Sequence, residues 1–236
     1  MVRPTERERI SRLREAWTTK IRAEDYDFHM ASVGQAQANA QLITDWLSSN
    51  APKRNSSVLF AGAGTGQVFD YLPTRILSPY IVTFTDINSD YLKRLESRLK
   101  SQGRLRFRII MDDIERSKLS AEFASAVAVL LLEHVEWHLA VATLCKLSTD
   151  SVFVVVQENP PEMARAVSDG QPLAGTMAIF REIQPALLSR RELVKEFDRY
   201  NFSLVRSREA TVLYGKKMVG LGFAKNASDS KREKHE

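Results

Sequence analysis

The chain has 236 residues, of which 44% are hydrophobic and 27% charged, a balance that suits one globular domain and excludes disorder throughout. Its longest apolar run, 126–132, is far short of the ~20 residues that span a bilayer, and no apolar segment of a secretory signal stands near the amino-terminus, so an intracellular, cytoplasmic protein is expected. The lone cysteine, Cys145, excludes an internal disulfide and a thiolate metal cluster, no metal is expected, and the net charge of +5 raises the question of an anionic partner.

Residues 1–50 read as a helical cap. Thr5 and Glu8 have the spacing of a capping box, and Ile10, Leu13, Trp17 and Ile21 then recur as one apolar stripe. A second helix is expected from about Asp27 to about Ser49, ended by Asn50-Ala51-Pro52, because the residue before proline is pushed out of helical geometry. From residue 57 the texture changes. Strands are expected at 58–62, 80–86, 104–111, 126–132 and 151–156, with helices at about 66–77, 88–102 and 135–147 between them. That rhythm predicts parallel β-α-β units with helices on both faces, the doubly wound class, and the near-continuous apolar strands predict burial on both sides.

After residue 157 the rhythm breaks. Residues 158–188 carry four prolines and two glycines and read as a long insertion, expected to be a lid over an acceptor site. Ser189 and Glu192 form a second capping box and open a helix to about Tyr200. Residues 202–215 and 216–225 then read as two antiparallel strands turning at Gly215, which completes a domain over 51–225; residues 226–236 have hardly any apolar content and are expected to be a disordered tail.

The strongest local signal is VLFAGAGTGQ, a strand running into Gly62-Ala63-Gly64-Thr65-Gly66 and a helix. Absent side chains let the chain turn sharply and let a ligand touch backbone, and a helix start offers N–H groups to an anion; the plain alternative is a turn that binds nothing. A dinucleotide fingerprint would put its third glycine at 67, where Gln67 stands, and this argues against a nicotinamide dehydrogenase. Asp86, at the tip of the second strand, can accept from two ribose hydroxyls or cap the following helix. At the third tip, Asp112-Asp113-Ile114 can take an exocyclic amine and pack on an aromatic ring, or merely cap and solvate. Glycine loop, acid and acid in order along the carboxyl edge of a parallel sheet describe an adenosine-sized pocket.

At these residues the chain resembles the class I S-adenosylmethionine-dependent methyltransferases, through motifs over 56–157 and through topology to the carboxyl end. Gly62-Ala63-Gly64-Thr65-Gly66 resembles the cofactor loop, Asp86 the ribose-binding acid and Asp113-Ile114 the adenine-contacting pair. Asp112 stands where many members have glycine, so either aspartate can face the adenine. LLLEHVEWH (130–138) is similar to the end of strand four in the small-molecule branch, and Asn201-Phe202 stands where Gly-Phe is usual. The resemblance implies a seven-stranded, mostly parallel Rossmann-like sheet with an antiparallel last strand. It also implies S-adenosylmethionine held by Ala61, Gly62, Ala63, Gly64, Gly66, Asp86, Ile87, Asp112, Asp113, Ile114, Leu132 and Glu133. Asn159-Pro160-Pro161 is similar to a motif of adenine methyltransferases, but it follows strand five rather than four, and Glu162 replaces the aromatic.

The implied reaction is an in-line methyl transfer to a small-molecule or peptide-like acceptor. A methyltransferase-like binding or regulatory protein without catalysis, and an RNA or DNA methyltransferase, are the alternatives. His134 is the candidate base, although shaping the cofactor pocket through hydrogen bonds is the preferred role. Glu133 and Glu136 can hold a cationic acceptor or the cofactor's amino group. Tyr26, His29 and Met30 either cover the cofactor or simply pack, and Trp137, His138, Met163, Met177 and Phe180 line an acceptor site or belong to the core. Residues 1–22 carry a basic surplus of four and the end of the chain a surplus of one, leaving 23–224 balanced. The charge therefore points to a solvated first helix, with partner binding through it a lesser use, and nucleic acid is not an expected partner.

Overall fold

The computed structural model describes residues 5–49, 53, 55–103, 105–167, 173 and 175–227. The Asn50-Ala51-Pro52 stop and most of the expected disordered tail lie outside the described residues. Helix α1 (Glu6–Glu15) starts from Thr5, whose hydroxyl accepts from the Glu8 N–H while the Glu8 carboxylate accepts from the Thr5 N–H. It runs into a π-helical turn, Ala16–Lys20. The single helix expected from Asp27 to Ser49 is two: α2 (Ala23–Ser32) and α3 (Gln35–Ser49). The break falls at Gly34, whose φ of 70° belongs to the left-handed region that glycine enters without strain. Periodicity on either side is unaffected by one such residue, which is why the sequence pattern ran through it.

The sheet is built from β1 (Ser57–Ala61), β2 (Ile81–Asp86), β3 (Arg106–Met111), β4 (Phe123–Val129), β5 (Ser148–Glu158), β6 (Phe202–Thr211) and β7 (Lys217–Lys225). Its order is β3-β2-β1-β4-β5-β7-β6. The first five strands pair in parallel, and β7 is antiparallel to both of its neighbours. This is the expected doubly wound Rossmann-like sheet, mostly parallel, with a reversed last strand. The strand order turns back between β1 and β4, and at such a switch point a crevice opens beyond the carboxyl ends of the strands.

Between the strands lie α4 (Thr74–Leu77), α5 (Ser89–Ser101), α6 (Trp137–Leu147) and α7 (Arg190–Asp198). The helix expected over 66–77 is instead a four-residue 3₁₀ turn, Gln67–Asp70, followed by the four residues of α4. Pro73 separates the two, since it has no N–H to donate to a continuing helix. The anion-binding helix start expected after the glycine loop is therefore not formed.

Alternation along the strands divides the core between the two faces. Leu59, Ala126, Val154 and Leu221 meet Leu144 of α6 and Phe197 of α7 on one side. Phe60, Phe84, Val127 and Phe153 meet Trp46 of α3 and Leu95 of α5 on the other. Thus α3 is part of the helical layer on the sheet. β3 departs from the expected burial: it is an edge strand, and Met111 is 67% exposed. On β7, Gly222 leaves room for the Trp46 ring, which stacks on Phe153 with centroids 5.3 Å apart. Asn201, before β6, has a φ of 63°; asparagine tolerates this left-handed geometry, which explains why it can replace glycine there.

Candidate active site

The glycine loop leaves β1 with Gly62, Gly64 and Gly66 all at positive φ, between 58° and 76°. The three serve different ends. A Cβ on Gly64 would stand 3.2 Å from the Tyr26 ring, which lies over the loop, whereas a Cβ on Gly66 would stand 2.3 Å from Leu95 inside the protein. Ala63 N–H donates to the Thr85 carbonyl at 2.8 Å and ties the loop to the tip of β2. Asp86 completes that tie, its carboxylate accepting from Gly64 N–H and from Asn88 N–H, each at 2.9 Å. Asp86 is not the cap of α5: Asn88 is, its side chain accepting from Asp90 and Tyr91. Burial pushes the Asp86 carboxyl upward, against the lowering by these backbone bonds.

Around this point lies a cleft with about 720 Å³ of atom-free space, part of it open to solvent. Gly62, Gly64, Asp86, Ile87, Asp112, Asp113 and Ile114 all line it, together with His134. Ala61, Ala63, Gly66, Leu132 and Glu133, which the resemblance also assigned to the cofactor, do not line this cleft. Ala61 and Ala63 face a smaller cavity beside it. Leu132 is 1% exposed in the core, because β4 ends at Val129 rather than at 132. Leu130 turns the chain there with a φ of 50°, a strained geometry for leucine, and lines both the cleft and its neighbour.

The amino-terminal segment covers the cleft. Arg14 donates to Asp113 at 2.5 Å and to Glu115 at 2.5 Å. Asp112 accepts from the Lys118 N–H at 3.0 Å. Trp17 packs edge-on against Tyr26 and His134, and Tyr26 stacks on Tyr91. Asn88 donates from its side chain to the Trp17 carbonyl at 2.8 Å, and Asp27 reaches Thr65 in the glycine loop and Arg98 on α5. Arg9 is also turned onto the chain, donating to the Gln184 carbonyl. Part of the basic surplus of the first helix therefore docks that helix. The sequence reading missed Arg14 and Tyr91 as cleft residues and took Trp17 only as part of a stripe. No local motif marks them, because they reach the cleft through tertiary packing.

A second chamber, with about 600 Å³ of atom-free space including open solvent, shares Trp17, Tyr26, Leu130 and His134 with the cleft. His29, Met30, Met177 and Phe180 line it, as does Glu133. The 3₁₀ segment Gly175–Arg181, within the 158–188 insertion, supplies Met177 and Phe180 and is pinned to α2 by Thr176 N–H donating to Asp25 at 2.8 Å. Trp137 and His138 line neither space: they stack on each other, and His138 pairs with Glu196 of α7 at 3.0 Å. Met163 and Glu136 line neither space.

His134 sits in the wall between the two spaces. The Trp17 indole N–H donates to its Nδ1 at 2.9 Å. An indole only donates, so Nδ1 carries a lone pair and the neutral ring holds its proton on Nε2. Burial lowers the His134 pKa to about 3. The ring is thus a neutral N–H donor near pH 7, and while the Trp17 bond stands it has no free nitrogen to act as the base considered from the sequence.

No family model matches the chain, and no curated protein matches it. Among solved structures, it is similar to magnesium protoporphyrin IX methyltransferase (ChlM) from Synechocystis PCC 6803, with a TM-score of 0.61 at 12% identity, covering 82% of this chain and 80% of that one. It is also similar to the N-methyltransferase NodS from Bradyrhizobium japonicum (TM-score 0.57, 13% identity, 78% of this chain and 84% of that one). A third is the [4+2]-cyclase SpnF (TM-score 0.60, 11% identity, 79% and 80%). The fold is that of the class I S-adenosylmethionine-dependent methyltransferases. No helix among the described residues is long and apolar enough to cross a membrane.

Proposed function

We propose that the cleft binds S-adenosylmethionine and that the protein transfers its methyl group to a small-molecule or peptide-like acceptor held in the second chamber. ChlM and NodS were crystallised with S-adenosylmethionine and S-adenosylhomocysteine respectively, which supports the same cofactor here. The observation that carries the reading is Asp86: its half-buried carboxylate is tied to the glycine loop, and a carboxylate has about four lone-pair sites. The backbone bonds from Gly64, Asn88 and Ile87 still leave capacity for a ribose hydroxyl. Gly62 and Gly64 allow backbone approach, and Ile87 and Ile114 offer apolar walls to an adenine ring. Asp113 is held by Arg14, so Asp112 has the freer carboxylate for an exocyclic amine.

Bound S-adenosylmethionine supplies an activated methyl on a sulfonium centre. The contribution of this chain is orientation, which in favourable cases lowers a barrier by about 7–11 kcal/mol. Trp17, Tyr26 and Phe180 exclude water from the junction of the two spaces, and His134 offers an N–H there. Within the 158–188 insertion, the described segment Gly175–Arg181 serves as the acceptor-site lid.

Calorimetry with S-adenosylmethionine and S-adenosylhomocysteine tests the binding half, and absence of binding at high micromolar concentration overturns it. Because the fold also carries a cyclase, transfer is tested separately. Labelled methyl is followed into metabolite, peptide and RNA pools, with label expected in a small or peptide-like product.

A further inference from the structure

Among the described residues lining the second chamber, Glu133 is the one acidic side chain and none is a lysine or arginine. The residue is 3% exposed and fixed from two sides. Its carbonyl accepts from Ala186 N–H at 2.8 Å, and its Oε1 accepts from Gln157 N–H at 2.8 Å. Its Oε2 is buried and has no hydrogen-bond partner among the described residues. The neighbouring amides do not reach it: Gln157 donates to Asn159 and Ala166, and Gln35 donates to Gln157. An unpaired buried carboxylate oxygen is costly, and a protein keeps one where a donor arrives from outside. The remaining wall is mostly apolar, with Met30, Met177, Phe180 and Pro185.

We propose that the second chamber takes a small amine on an apolar or aromatic body, its nitrogen hydrogen-bonded to Glu133 Oε2. This deepens the methyltransferase reading and rests on it for the purpose of the site. An amine supplies N–H groups to the unpartnered oxygen, and as an ammonium it also meets the one carboxylate among the described residues of the wall. A carboxylate ligand would be repelled, and an alcohol would supply a single neutral donor. When the ligand enters as an ammonium, its proton passes from nitrogen to Glu133 Oε2 and leaves a lone pair on nitrogen beside the cleft. Glu133 suits that exchange because burial raises its pKa to about 7. The other titratable side chains lining the chamber are Tyr26, His29 and His134; His134 is the neutral donor described above.

The test is ligand-observed NMR on the full chain with matched probes, 2-phenylethylamine against 2-phenylethanol and cyclohexylamine against cyclohexanol. Wild type and Glu133→Gln are compared, with and without S-adenosylhomocysteine. Wild type is expected to bind each amine at least about ten-fold more tightly than its alcohol, as one charge-assisted hydrogen bond provides. The variant should lose that preference and keep its affinity for S-adenosylhomocysteine. Equal binding of amine and alcohol to wild type, or binding of neither, overturns the proposal whether or not the variant folds. A preference that survives in the variant also overturns it. So does a ten-fold loss of S-adenosylhomocysteine affinity with the preference intact, which would place Glu133 on the cofactor. If amines are preferred but S-adenosylhomocysteine never binds, the methyltransferase reading fails and the amine site stands.

Discussion

Replacing Glu133 with glutamine should change how the stability of the fold responds to pH. In the fold this carboxyl titrates near 7, raised chiefly by burial from an ordinary value of 4.5. Between those values the folded chain keeps a proton that the unfolded chain has released. Wild-type stability from this group is therefore fully present below pH 4.5, falls as pH rises, and is gone above 7. At 1.36 kcal/mol for each pH unit of difference, the loss is about 3 kcal/mol. Glutamine has nearly the same shape, can still accept from Gln157 N–H, and carries no charge to bury. Any fixed cost of its amide is the same at every pH. The stability of the variant relative to wild type should thus rise by about 3 kcal/mol between pH 4.5 and 8. Urea unfolding of both proteins, followed by tryptophan fluorescence at several pH values, measures this directly. Parallel stability curves for the two proteins would refute the reasoning and show that Glu133 is not held in a dry site.

Asp86→Ala removes the acceptor shared by Gly64 and Asn88; affinity for S-adenosylmethionine should fall about ten- to a hundred-fold by calorimetry, and an unchanged value would remove Asp86 from the site. His134 should show a protonated Nε2, a bare Nδ1 and no titration between pH 5 and 8 in ¹⁵N NMR, since burial holds its pKa at about 3. A transition near 6.5 would restore the histidine as a candidate base. Trp17→Phe deletes the indole donor and leaves the half-buried His134 Nδ1 without its partner; the expected loss is about 1 kcal/mol in urea unfolding, and no loss would show that the hydrogen bond is not formed in solution. Gly222→Ala would place a Cβ 2.1 Å from the Trp46 ring; a loss of about 1–3 kcal/mol or more is expected from overpacking, and a neutral result would mean that α3 shifts freely on the sheet.

The features legible in the sequence were those carried by local chemistry. Both capping boxes formed as their spacing predicts, because a hydroxyl and a carboxylate three residues apart satisfy each other within one turn. Apolar and β-rich runs between turn residues marked all seven strands, near-continuous where both faces are buried, as along β1 and β4. The errors came where one residue's backbone geometry outweighs a pattern. Gly34 divides a helix that reads as continuous, Pro73 interrupts another, and Leu130 ends β4 three residues before its apolar run does. Leu130 is the more telling case: nothing in AVAVLLL distinguishes strand from turn, yet that turn sends Leu132 into the core.

The sequence by itself determined the doubly wound sheet and the succession of glycine loop, Asp86 and Asp112-Asp113 along its carboxyl edge, because strand periodicity and parallel connection dictate where each strand tip emerges. Only the tertiary structure decided what stands over that edge. Arg14 meets Asp113 across 99 residues of chain, and Trp17 meets His134 across 117. Those contacts occupy Asp113, leave Asp112 the freer carboxylate, and set the tautomer of His134 in the wall between the cleft and the second chamber. Glu133 shows the same division. Its identity and its place after β4 are written in the sequence, but whether it is a solvated acid or a buried one with a bare oxygen depends on which segments close around it. Long-range packing sets the dielectric and the hydrogen-bond partners, and these determine what an ionisable side chain can do.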